Sequence, residues 1–172
     1  MSQIQITLPD GNKQSHPAGI TGLDIAKGIS EGLARVALAI EIDGEVTDLH
    51  LPIENDGAIR ILTFNDDEGV DVFRHSSAHL LAQAVVSLFP DAKPTIGPVV
   101  EEGFYYDFAH PPFTEEDLGK IEKRMKELMK QKLPFTRFEV GSAEAKDLFK
   151  SNPYKLELIE GFEEGSSYYS QG

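Results

Sequence analysis

The residues best suited to chemistry in this sequence are two histidines, His75 and His79, which stand four positions apart in the segment RHSSAHLLAQAVV. If this segment is helical, both imidazoles lie on one face, with Cβ atoms roughly 5–6 Å apart. Two such rings could bind one metal ion or share a water molecule for acid–base chemistry. A plainer interpretation fits equally: His75 at a helix end and His79 as a hydrogen-bonded histidine at the edge of a core. The spacing alone leaves both interpretations open.

A zinc site on these histidines would need more ligands, because structural zinc is four-coordinate. The chain has no cysteine, so Asp or Glu would have to complete the set. Ser76, and not Glu, follows His75, which separates the pattern from the HExxH of zinc proteases. The GxxxxGKS/T, GxSxG and GxGxxG patterns are also missing from the sequence. We expect no metal and no cofactor in this chain.

Composition bounds the partners that the chain can bind. The 172 residues carry a formal net charge of −13, which does not favour binding of nucleic acid through bulk electrostatics. The basic segment KIEKRMKELMKQK is typical of the solvated face of an amphipathic helix. Apolar stretches such as LARVALAI are too short to cross a bilayer, and the N-terminus lacks a signal sequence. With no cysteine, these features predict a cytoplasmic protein without a membrane partner.

Residues 1–64 are predicted to form one small α+β domain. QIQITL alternates as a strand, and Thr21 is a candidate N-cap for a helix with Leu23, Ala26 and Ile29 at near-helical spacing. Asp43-Gly44 between apolar runs predicts a hairpin, and AIRILTF a last strand. The order β-β-α-β-β is the β-grasp pattern. The acidic segment that follows, NDDEG, predicts the boundary to a second domain of residues 65–172.

The second domain is predicted to combine helices with a mixed or antiparallel sheet. One helix runs from Val72 to Phe89, and a second, TEEDLGKIEKRMKELMKQ, is capped by Thr114. Their predicted core stripes are Ala78, Leu81, Val85 and Leu88, and Leu118, Ile121, Met125 and Leu128.

The remaining segments of this domain have weaker patterns. TIGPVVEEGFYYDF predicts two strands around a Glu102-Gly103 turn, FTRFEV and YKLELIE predict further strands, and SAEAKDLFK predicts a helix capped by Ser142. SSYYSQG starts one more strand. Because a domain seldom ends on a half-formed hairpin, we expect this one to be truncated at its C-terminus.

Taken together, these segments resemble the N-terminal part of a bacterial-type threonyl-tRNA synthetase. The first domain is similar to the TGS domain, a ubiquitin-like β-grasp module. RHSSAHLLAQAVVSLFPDAKPTIGPVVEEGFYYDF resembles the opening of the editing domain, with HxxxH, IGP and GFYYD in the family's order and spacing. Alanyl-tRNA synthetases have a similar editing module, but no TGS domain is expected in front of it. Some GTPases and alarmone synthetases have TGS domains, and the missing P-loop and the editing motif argue against both.

The resemblance implies proofreading hydrolysis of mischarged Ser-tRNA(Thr). In the family, the histidines that match His75 and His79 position and activate the hydrolytic water. The resemblance makes Lys155 a ligand of the terminal ribose or of the developing charge, and it places Gly97 and Tyr106 in the lining of the pocket. A non-catalytic module that binds tRNA or a protein for regulation is the alternative.

The same resemblance sets limits on this chain. The family's editing pocket also uses an Asp, and a Cys and a His in a CxxxH-type motif, at positions beyond residue 172, so we expect an incomplete site here. The full-length protein would be a threonine–tRNA ligase, and this piece could not aminoacylate tRNA. The implied partner is the acceptor end of tRNA(Thr). Zinc, ATP and a homodimer interface are expected only in domains outside this chain.

Overall fold

A computed structural model describes residues 2–133 and 140–161. The chain divides into two compact units, residues 1–73 and residues 74–172, here called unit 1 and unit 2. This division falls after residue 73, and the domain boundary predicted after residue 64 remains a prediction. Two predicted strands, FTRFEV (residues 135–140) and SSYYSQG (residues 166–172), lie outside the described residues, except for Val140 at the end of the first.

Unit 1 is a mixed sheet with two short helices, and it confirms the predicted α+β class and the β-grasp arrangement. Its elements are β1 (Gln3–Thr7), β2 (Lys13–Pro17), β3 (Ile20–Thr21), α1 (Gly22–Ile29), α2 (Glu31–Val36), β4 (Ala39–Ile42), β5 (Glu45–Thr47), β6 (Pro52–Ile53) and β7 (Gly57–Leu62). The five-stranded sheet has the order β2-β1-β7-β4-β5, and β3 pairs with β6. The β1–β7 pair is parallel and the other pairs are antiparallel.

The alternation of QIQITL produces the core of unit 1. Ile4 and Ile6 point inward from β1 and pack with Ile25, Ile40, Leu49, Ile53 and Ile59. The predicted hairpin is confirmed: Asp43 and Gly44 both have positive φ, as a type I′ turn between β4 and β5 requires.

Helix α1 is capped as predicted, but its buried face differs from the prediction. The Thr21 hydroxyl accepts a hydrogen bond from the Asp24 N–H at 3.2 Å. Ile25 and Ala26 are buried, whereas Ile29 is 46% exposed. Ile29 is the last residue of the helix, and the chain turns there into α2.

Helix α3 (Asp67–Leu88) begins earlier than predicted, within the acidic segment. Asp67 and Glu68 occupy its first turn, where negative charge is favoured by the helix dipole. The predicted core stripe is partly correct: Ala78 and Val85 are buried, but Leu88 is 38% exposed because it ends the helix.

The described part of unit 2 contains residues 74–88 of α3, three further helices and short antiparallel strands. The elements are β8 (Lys93–Pro94), β9 (Val99–Val100), β10 (Gly103–Phe104), β11 (Phe108–Ala109), α4 (Glu115–Gln131), α5 (Ser142–Leu148) and α6 (Pro153–Gly161). Strand β8 pairs with β11, and β9 pairs with β10. Backbone hydrogen bonds from Thr95 to Asp107 and from Asp107 to Ile96 connect the two pairs. Residues 93–109 therefore form one irregular hairpin, with its turn at Glu101-Glu102 instead of Glu102-Gly103.

Helix α4 confirms the predicted cap and corrects part of the predicted core face. Thr114 and Asp117 form a reciprocal capping box. Ile121 and Leu128 are buried and pack with Ala84, Val85 and Ala92. Leu118 is 57% exposed because it lies in the first turn, beyond the part of the helix that covers this core.

The last two helices correct two predictions. Gly141, and not Ser142, is the N-cap of α5, and no side chain caps that end. YKLELIE is helical and not a strand, because Asn152 caps α6 and Pro153 occupies its first position, where the missing N–H costs nothing. Lys155 therefore stands on a helix.

Candidate functional site

Helix α3 brings His75 and His79 into direct contact. The two Nε2 atoms are 3.0 Å apart, and the ring planes meet at 86°. At that distance one Nε2 donates a hydrogen bond to the other, so at least one of the two rings has to be neutral. The two rings are thus too close for a water molecule to lie between their Nε2 atoms, as the spacing alone had allowed. The two Nδ1 atoms remain available for other hydrogen bonds.

The environment of His79 keeps its ring neutral at pH 7. Burial, followed by the charges of His75 and Lys155, lowers the pKa of His79 to about 4. A group with so low a pKa is a weak base. It is therefore better suited to orient a water molecule through a lone pair than to take up its proton completely.

Lys155 adds a positive charge to this pair. It lies in the first turn of α6, half-buried, and burial lowers the pKa of its ammonium group. Its charge is one cause of the lowered pKa of His79, after burial and the charge of His75. The structure thus brings together three of the five predicted site residues: His75, His79 and Lys155, which we call the histidine–lysine cluster.

Gly97 and Tyr106 contact each other across the irregular hairpin. A Cβ at Gly97 would lie 2.9 Å from Cγ of the Tyr106 ring and closer still to two other ring carbons. The Tyr106 ring stacks on Phe108 with centroids 4.9 Å apart. Burial raises the pKa of the Tyr106 hydroxyl, which stays protonated at pH 7. Only glycine allows this tyrosine to lie flat against the opposite arm of the hairpin.

Two polar residues, Arg74 and Asn152, connect the helices of unit 2 to the irregular hairpin. Neither of them was among the site residues predicted from the sequence. Arg74, which precedes His75, donates from Nη1 to the carbonyl oxygen of Val100 in the hairpin at 3.4 Å. Asn152 connects the start of α6 to Pro94 in β8. The Asn152-Pro153 dipeptide was the available signal for the second, since Asn before Pro is typical of a helix start.

Neither a complete metal site nor a membrane span is found among residues 2–133 and 140–161. Within those ranges, no three His, Cys, Asp or Glu side chains come together in a way that could hold a metal ion. The zinc hypothesis for the two histidines therefore lacks a third ligand there. No helix in the described part of the chain is both long and apolar enough to cross a membrane.

Unit 1 is similar to a known family of domains. Residues 4–63 match the family model described as TGS domain. Over these residues the chain is similar to TGS domains. The match covers β1 to β7 of the mixed sheet, and it bears out the β-grasp resemblance read from the sequence.

In addition to this match, the chain is similar over nearly its whole length, residues 4–63 included, to threonine–tRNA ligases. It is 49% identical over 170 residues to the one from Desulfatibacillum aliphaticivorans, covering 98% of this chain and 27% of that protein. With the one from Desulforapulum autotrophicum the identity is 51% over the same shares. With the one from Acetivibrio thermocellus it is 49% over 174 residues, again 98% and 27%. These matches confirm the resemblance to threonyl-tRNA synthetases, and the chain spans about a quarter of the length of these curated relatives.

Proposed function

We propose that this chain is part of a cytoplasmic threonine–tRNA ligase and that unit 2 contributes to hydrolysis of mischarged Ser-tRNA(Thr). The observation that carries the proposal is the histidine–lysine cluster: two imidazoles in hydrogen-bond contact beside a half-buried ammonium group. Pairs of perturbed titratable groups are more frequent at functional sites than elsewhere. The similarity to threonine–tRNA ligases supplies the substrate class.

Proofreading is required by the chemistry of the two amino acids. Serine is threonine without one methyl group, and a pocket distinguishes such a pair by only about 10–200-fold. A second site that hydrolyses the smaller product and excludes the larger one multiplies this discrimination. In the proposal, unit 2 supplies part of that second site.

The reaction is the hydrolysis of one ester bond. Water adds to the carbonyl carbon, the bond between that carbon and the ribose oxygen breaks, and the departing ribose oxygen takes one proton of the water to become a hydroxyl group. The other proton of the water is released as the serine carboxyl group ionises. The products are serine and uncharged tRNA.

Each residue of the cluster has a role that its environment supports. His79 is neutral and accepts a hydrogen bond from the attacking water, and His75 fixes the orientation of the His79 ring through the 3.0 Å contact. The Lys155 ammonium group stabilises the negative charge that develops on the ester oxygen, or binds the ribose. The stacked Tyr106 and the adjacent Gly97 form a wall of the pocket.

Further parts of the proposal concern segments outside this chain. An Asp, a Cys and a His of the family's editing pocket would complete the site, so we expect the chain alone to clear serine more slowly than a longer protein that contains it. The acceptor end of tRNA(Thr) would be held mainly by those segments, in agreement with the net charge of −13. ATP, zinc and the homodimer interface would also belong to them.

The test compares two histidine substitutions in a longer protein that includes this segment. Clearance of Ser-tRNA(Thr) is measured for His79→Gln and for His50→Gln, a matched change at an exposed histidine of unit 1. We expect at least about a 100-fold loss for the first, the usual size of a lost acid–base or water-orienting group, and none for the second. Equal clearance by both variants would refute the role of His79. Binding of tRNA without any serine release would favour the regulatory binding module instead.

A further inference from the structure

Asn152 uses one side-chain amide for three hydrogen bonds. Its Oδ1 accepts from the backbone N–H groups of Tyr154 and Lys155, at 3.1 and 3.3 Å. Its Nδ2 donates to the carbonyl oxygen of Pro94 at 2.9 Å. The partners define the orientation of the amide, because exchanging its oxygen and nitrogen would set donors against donors and the oxygen against a carbonyl.

These bonds connect two parts of the candidate site that are far apart in sequence. Pro94 belongs to β8, at the base of the hairpin that carries Gly97 and Tyr106. Lys155 stands in the first turn of α6, and its own backbone N–H is one of the groups that Asn152 binds. The bond to Pro94 is partly buried, so water competes for it less than at an exposed surface.

We propose that Asn152 is a positioning residue that holds Lys155 beside His79 by fastening the start of α6 to the Pro94 carbonyl group. The role of this arrangement in catalysis rests on the proposed function. The hydrogen bonds of Asn152 do not depend on that function. Without the bond to Pro94, α6 keeps its cap and loses its attachment to β8. The Lys155 ammonium group then moves away from the imidazole pair.

The position of Lys155 can be read from His79 without any activity measurement. The pKa of His79 is lowered by burial and by two charged neighbours, His75 on the same helix and Lys155 on α6. If Lys155 moves away, the second charge weakens and the pKa of His79 rises. An NMR titration of the histidine ring protons, with His79→Gln to assign the signal, measures this pKa.

Four variants of the chain separate attachment from capping. Lys155→Met removes the charge and defines the largest rise that Lys155 can cause. Asn152→Ala removes both the cap and the bond to Pro94. Asn152→Ser keeps a good N-cap residue, but its side chain is too short to reach Pro94. Ser151→Ala changes the exposed neighbour and serves as the control.

We expect the His79 pKa to rise in Lys155→Met, and to rise by at least half as much in both Asn152 variants, with Ser151→Ala unchanged. An unchanged pKa in Asn152→Ser beside a raised one in Lys155→Met would overturn the proposal, because α6 would hold its place without the bond. An unchanged pKa in Lys155→Met, or an equal rise in Ser151→Ala, would overturn it too. Failure of the wild-type protein to clear serine would refute the proposed function and leave this titration result standing.

Discussion

The two units differ in where burial leads a pKa shift: among the described residues it does so in unit 2 and not in unit 1. In unit 1, hydrogen bonds dominate: Thr21 lowers the pKa of Asp24, Thr63 lowers that of Asp66, and Glu41 raises that of Arg60. Each of these groups is stabilised in its charged form. In the described part of unit 2, hydrogen bonds lead the shifts of Asp117, Lys120 and Glu122 in the same way. Burial instead leads the pKa shifts of His79, Tyr106 and Lys155, and it favours their neutral forms.

This difference separates groups that serve the fold from groups that are suited to chemistry. A charged group with good hydrogen bonds stabilises the folded chain and is held in place. Burying a histidine next to another histidine and a lysine disfavours protonation and costs stability as the pH falls. A group whose burial lowers the stability of the fold in this way is typical of a functional site.

Truncation of the core of unit 1 is expected to have the largest effect on stability and no effect on the cluster. Ile6 is 0% exposed, so Ile6→Ala should lower the free energy of unfolding by about 3 kcal/mol through lost burial and a residual cavity. Ile29→Ala, at an exposed position, should cost under about 1 kcal/mol. Hydrogen exchange of β1 and β7 amides measures both. Because every named cause of the His79 shift lies in unit 2, a changed His79 pKa in Ile6→Ala would break the comparison.

A methyl group at Gly97 is expected to disturb its contact with the Tyr106 ring in the irregular hairpin of unit 2. The added Cβ would overlap the Tyr106 ring, so Gly97→Ala should cost about 2 kcal/mol by overpacking and should move the ring. Gly103→Ala is the matched control, since a Cβ there meets no atom within 4 Å. Chemical denaturation and the ring resonances of Tyr106 give the two readouts. Equal effects of the two substitutions would contradict the close contact.

Acid is expected to destabilise unit 2 through His79. The folded pKa of about 4 lies below the ordinary value of 6.5, so between these pH values the unfolded chain binds more protons. The free energy of unfolding therefore carries no penalty from His79 above pH 6.5, and it decreases as the pH falls from 6.5 to about 4. Allowing for partial exposure of the ring, we expect a loss of about 1–2 kcal/mol. Unfolding measured at pH 7 and pH 4 should show a steeper decline for the wild type than for His79→Gln, and parallel declines would contradict the shift.

The smallest effect concerns helix caps. Thr114→Ala removes the capping box of α4 and should cost about 1 kcal/mol. Ser142→Ala should be close to neutral, because Ser142 is the first helical residue of α5 and Gly141 is the N-cap. Thermal unfolding of the two variants measures both costs. A larger cost at Ser142 would restore the cap predicted from the sequence.

The sequence predicted unit 1 better than unit 2 for a physical reason. In unit 1, side chains alternate along paired strands, and a turn such as Asp43-Gly44 has a local signature. In unit 2 the strands are two residues long, so the hairpin depends on single backbone bonds such as Thr95 to Asp107, which leave no periodic pattern. YKLELIE alternates like a strand, but Asn152 and Pro153 start a helix there.

The sequence named candidate residues for the site but could not predict the contacts that the structure shows among them. The spacing of His75 and His79 places them on one helix face, but the 3.0 Å contact depends on side-chain rotamers. The approach of Lys155 to His79 depends on how α6 is attached, and the chain separates these residues by a hairpin and two helices. Such tertiary placements have no local sequence signal.

The central claim is that this chain contributes to a site that removes serine and spares threonine. The most direct test is single-turnover deacylation of Ser-tRNA(Thr) and Thr-tRNA(Thr), by this chain and by a longer protein that contains it, with spontaneous hydrolysis subtracted. We expect the serine ester to be cleared faster than the threonine ester, with a higher rate in the longer protein and no clearance in His79→Gln. Equal rates for the two esters, or clearance of serine that is unchanged in His79→Gln, would contradict the claim.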